Sequence, residues 1–89
     1  MSYIELEPEI DACVETQARR QYGELARQLL ERGEDEELVE KLEILWRFLS
    51  TADFHQLRRD SEQHLIAGKK VRFVLELENG QLKQEMEVF

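Results

Sequence analysis

The residues best suited to chemistry in this chain are Cys13, His55 and His64. A thiol and two imidazoles can ligate a soft divalent metal, and a thiol beside an imidazole can act as nucleophile and base. The spacing argues against both. His55 and His64 lie nine residues apart, so on one helix they point to opposite faces and cannot chelate one ion. Cys13 precedes Val14 on what reads as the inner side of a long helix, where cysteine behaves as a small hydrophobe. No Gly-x-Ser-x-Gly, Cys-x-x-Cys or phosphate-loop pattern occurs. The acidic run Glu34–Glu37 lacks the alternating ligands and central glycine of a calcium loop, and reads as a helix N-terminus. The expectation is no metal, no cofactor and no catalytic residue, with the balance against an enzyme.

Two other groups of residues could bind rather than react. Arg58, Arg59, Lys69, Lys70 and Arg72 gather near the end of a third helix and the start of a strand. They form a local basic patch that could receive a phosphate, an acidic peptide or RNA. The competing reading is internal neutralisation by Asp60, Glu62 and the acidic first half. The second group is apolar. Ile44, Trp46 and Phe48 lie off the main seam of the second helix, Tyr22 is surplus on the first, and Val74 and Phe89 fall on the outer face of the C-terminal strands. Exposed together they would make a contact patch with aromatic anchors. Turned inward they would complete the core of a short chain.

Charge limits the partners. The net charge is −8 over 89 residues, and almost all of it lies before residue 50. Such a chain is repelled by phosphate backbones and anionic membranes, so generic nucleic-acid or membrane binding is disfavoured, whereas protein partners are tolerated. No apolar run approaches the roughly 20 residues that span a bilayer. The opening residues lack a basic region and an apolar stretch, so no signal peptide is expected. One cysteine excludes an internal disulfide. Cytoplasm is the expected compartment.

The elements that must position these residues are legible from periodicity. Val71 to Phe89 reads as a β-hairpin around Asn79-Gly80, the loop type whose turn needs positive φ at both central residues. That centre sets Leu77 against Leu82, Phe73 against Met86 and Val71 against Val88 on one face. On the other it sets Glu76 against Lys83 and Arg72 against Glu87.

Upstream, apolar spacing predicts helices over about 8–32, 36–49 and 53–67. Pro8 stands in the first turn of helix one, Gly23 lies inside it where another backbone could approach, and Gly33 ends it. Asp35 is the expected N-cap of helix two. Ser2–Leu6 alternates and is either a short edge strand or a lead-in.

The predicted fold is α+β in two layers, one domain over residues 1–89. Three helices precede a C-terminal antiparallel hairpin spanning 70–89 and cover its apolar face. The functional expectation is a non-catalytic protein–protein interaction or oligomerisation module, with a homodimer the expected assembly by shortage of core. The alternative is a binder of a phosphorylated ligand or nucleic acid through the basic patch.

Overall fold

The structure is a computed structural model and describes residues 2–89. The hairpin forms where its sequence predicts. β2 (Val71–Glu78) and β3 (Gln81–Val88) pair antiparallel with Val71 opposite Val88, Phe73 opposite Met86 and Leu77 opposite Leu82. Asn79 and Gly80 take φ of 53° and 78°, the double positive values of the tight primed turn. Opposite charges also meet as the alternation requires: Lys83 Nζ lies 3.8 Å from Glu76, and Arg72 Nη1 lies 3.7 Å from Glu87.

The N-terminal segment is a strand. β1 (Tyr3–Leu6) pairs antiparallel with the far side of β2, with Ile4 opposite Leu75 and Leu6 opposite Phe73, giving the sheet order β1-β2-β3. Ile4, Leu6, Val71, Phe73 and Leu75 are buried on the face that meets the helices. Their alternation with Tyr3, Glu5, Arg72 and Val74 is the period-two pattern of a sheet covered on one side.

The first helix starts later than its periodicity suggests. α1 covers Val14–Arg32, and residues 8–13 are not helical. Glu9 and Ala12 exchange two main-chain hydrogen bonds, 2.9 and 3.1 Å, closing a turn. The Gln17 side-chain amide donates to the carbonyls of Glu7 and Ala12 and ties that turn to the helix. Pro8 is buried, whereas Ile10, expected in the helical stripe, is 67% exposed. Helix is abandoned here because the chain must leave β1 and reverse. Turn bonds satisfy the backbone that a helical start would have left open.

α2 covers Glu36–Thr51 and α3 covers Phe54–Ile66. Asp35 caps α2 as expected, accepting from the amides of Glu37 and Leu38 at 3.0 and 3.3 Å. Asp53 caps α3 by accepting from Gln56 at 3.2 Å. Ser50 and Thr51 extend α2 past its expected end at residue 49, their hydroxyls donating to carbonyls four residues back. The helical layer centres on α2, whose Leu38, Ile44, Leu45 and Phe48 are buried together with Val14, Ala18 and Leu25 of α1. α3 contributes less, with Ser61 its one buried residue. Phe54, at its start, packs edge-on against Phe48, ring centroids 5.4 Å apart. Gly23 has open space where a Cβ would stand, so it admits no neighbouring backbone, contrary to the expectation from sequence.

Candidate functional site

The sheet ends asymmetrically. At one side β1 is four residues long, a short edge of the kind that resists further pairing. At the other side β3 is eight residues long, and among the described residues no strand pairs with its outer edge. The helices cover its underside only in part. Facing the helical layer, Leu82 is half-buried but Met86 is 39% and Val88 37% exposed, while their partners Phe73 and Val71 on β2 are each 2% exposed. Gln84 occupies the remaining position on that face and is exposed. β3 therefore presents both an open main-chain edge and an incompletely covered apolar underside.

The direction of each main-chain group on β3 follows from one pair. Lys70 and Phe89 exchange two hydrogen bonds, N···O 2.7 and 2.9 Å. Hydrogen-bonded and non-hydrogen-bonded pairs alternate along an antiparallel ladder. Counting from Phe89, the odd-numbered residues of β3 bond to β2. The amides and carbonyls of Leu82, Gln84, Met86 and Val88 face away from the sheet.

Charged side chains crowd the opposite face. Lys83 Nζ lies 3.6 Å from Glu78, 3.6 Å from Glu85 and 3.8 Å from Glu76. These carboxylates, Glu78 foremost, raise the lysine above its ordinary value. Arg72 bonds Glu7 at 3.0 Å and reaches Glu5 and Glu87 at 3.9 and 3.7 Å. Its guanidinium carbon sits 4.7 Å from the ring centre of Phe89, within cation–π range. Arg72 thus links the segment around β1 to the end of β3.

The five basic residues do not all share one surface. Arg72 belongs to this outer sheet face, ringed by carboxylates. Arg58 is bonded to Glu62 on α3 at 2.8 Å. Arg59, Lys69 and Lys70 are exposed.

The apolar group divides as well. Ile44 and Phe48 are 1% and 0% exposed and belong to the core, because α2 packs against both α1 and the sheet. They offer no contact surface. Trp46 is 58% exposed and lines a shallow groove with Arg19, Tyr22, Leu49 and Ser50. Val74 and Phe89 lie on the sheet's outer face, away from that groove.

A small cavity of about 110 Å³ is lined by Cys13, Glu15, Phe54, His55 and Arg58 among others. Cys13 occupies the N-cap position of α1. Its Sγ is 3.3 Å from the Thr16 hydroxyl, and that hydrogen bond holds the thiol below its usual range. Among the described residues no side-chain hydrogen bond orients His55, and no three His, Cys, Asp or Glu side chains converge as metal ligands would.

Sequence reasoning missed β3 as the exposed part of the hairpin. The available signal was Gln84, a polar residue at a position where β2 carries Leu75.

Fold and edge together define a two-layer α+β protein with a three-stranded antiparallel sheet open along β3. The chain belongs to the protein family whose model matches residues 2–87. It is similar to an uncharacterized protein of Archaeoglobus fulgidus, 40% identical over 73 residues, which covers 72% of this chain and 86% of that relative. No solved structure matches it. Among the described residues no helix is long and apolar enough to cross a membrane.

Proposed function

We propose that this protein is a small acidic interaction module of the cytoplasm, non-catalytic in itself, whose working form is a self-associated one. The observation that carries the reading is the edge strand β3, eight residues long, with Met86 and Val88 39% and 37% exposed beneath it. An open edge of this length invites pairing, and native sheets that remain monomeric keep such edges short, covered or twisted away. The limited core of a small domain adds to the gain from association. The single free cysteine suits a reducing compartment.

Light scattering coupled to size exclusion, run from low micromolar to high micromolar protein, tests the reading. The expected result is a mass that rises toward twice 10.6 kDa. A constant monomer mass at every concentration overturns it. The phosphate or nucleic-acid reading gains no comparable support, since Arg58 and Arg72 are engaged by carboxylates.

A further inference from the structure

Resting on the self-association reading, we infer that the occupant of the β3 edge is β3 of a second copy, paired antiparallel about a two-fold axis at Gln84. The sheet then runs β1-β2-β3-β3-β2-β1 without a break, with both helical layers on the same side.

Three features of β3 fit this register, and the second selects it among the registers that parity allows. The first is hydrogen-bond parity. Gln84 faces outward along the strand edge, as do Leu82 and Met86, by alternation from the Lys70–Phe89 pair. An axis at Gln84 lets the two Gln84 main chains bond to each other. It also sets each Leu82 against the partner's Met86, again with outward-facing groups on both sides. Gly80 does not extend this ladder, because it lies in the turn with a φ of 78°, outside the extended strand.

The second is charge. In this register Lys83 stands opposite the partner's Glu85, twice over by symmetry, in the pairs between the hydrogen-bonded ones, where side chains approach most closely. Shifting the axis to Glu85 sets that carboxylate against its own copy. A shift to Met86 sets Glu85 against the partner's Glu87, and a shift to Lys83 opposes two ammonium groups. Of the registers that hydrogen-bond parity allows and that pair more than half of the strand, the one centred on Gln84 alone avoids a like-charge pair.

The third is the underside. Met86, 39% exposed, gains the partner's Leu82 as a neighbour, while the two Gln84 side chains meet at the axis, amide to amide. A polar residue at an inward position, unexplained in the isolated chain, becomes a self-complementary contact.

Charge reversal tests the register and separates it from self-association in general. In a Lys83→Glu homodimer both symmetric pairs become glutamate against glutamate. In a Glu85→Lys homodimer both become lysine against lysine. Mixing the two variants restores opposite charges at both pairs. Sedimentation equilibrium should show each single variant associating about tenfold more weakly than wild type or worse, and the equimolar mixture recovering a heterodimer.

Gln84→Pro is the second probe. It removes an amide that points away from β2, so an edge strand tolerates it and the hairpin stays intact by circular dichroism, while dimerisation is lost. Dimers unaffected by all three substitutions overturn the β3 pairing but leave self-association standing. Single variants weakened with no recovery on mixing overturn the register. A wild type that stays monomeric overturns both this inference and the function on which it rests.

Discussion

The main chains of Lys70 and Phe89 are joined by two hydrogen bonds, N···O 2.7 and 2.9 Å, one step beyond the last residue of β3. This pair closes the hairpin at its open end and sets the phase of the whole ladder. Amide hydrogen exchange at low protein concentration should therefore alternate along β3. Lys83, Glu85, Glu87 and Phe89 should be protected, whereas Leu82, Gln84 and Met86 should exchange orders of magnitude faster. At high concentration the second set should slow. Uniform protection in dilute protein, or the opposite phase, would show the ladder to be wrong.

Phe48 and Trp46 lie two residues apart on α2 and should respond oppositely to truncation. Phe48 is fully buried, so Phe48→Ala should cost about 3–5 kcal/mol through lost burial and the cavity left behind. Trp46 is 58% exposed, so Trp46→Ala should stay within about 1 kcal/mol of wild type. Urea unfolding of the two variants at one protein concentration decides the matter. Equal costs would mean that α2 is rotated from the orientation described.

Gly23 sits inside α1 with nothing near the place its Cβ would take. Gly23→Ala should stabilise the protein by about 0.5–1 kcal/mol, since alanine lowers the entropy cost of the helix without a clash. A fall in melting temperature would mean that something packs on this position.

Cys13 should be alkylated by iodoacetamide with a pH midpoint below that of the same thiol in the urea-unfolded chain. The Thr16 hydrogen bond favours the thiolate, so at a pH below the unfolded value the folded protein holds more of the reactive form. Thr16→Val should move the midpoint up. An unchanged midpoint would show that the hydroxyl does not reach the sulfur in solution.

Arg72 is half-buried among exposed partners, the carboxylates of Glu5, Glu7 and Glu87 and the ring of Phe89. Arg72→Met should lower the melting temperature slightly in dilute buffer, with the difference narrowing as salt is raised. A large loss independent of salt would point to packing against Phe89 as the dominant contribution.

The hairpin was readable because its determinants are local. Asn79-Gly80 demands its turn, and the alternation on either side of that turn then dictates every cross-strand pair, down to Arg72 against Glu87. Asp35 and Gly33 marked a helix boundary for the same reason, since a cap acts on its own neighbours. Residues 8–13 misled because Pro8, Glu9 and Asp11 suit a helix start as well as they suit a turn, and the choice lay with β1 and Gln17. The apolar residues of α2 misled in another way. Their spacing shows that the helix is covered on more than one side without saying by what, and only the packing of α2 against both α1 and the sheet assigns Ile44 and Phe48 to the core and Trp46 to the surface.

The amino-acid sequence by itself determined the order of elements, the hairpin register and the opposite charges along it, because these depend on residues a few positions apart. Tertiary structure alone decided that β1 takes one side of β2 and leaves β3 at the other edge. How far a helical layer extends over a sheet depends on the summed width of side chains from all three helices, a quantity no local pattern carries. That shortfall in coverage leaves Met86 and Val88 partly open to water.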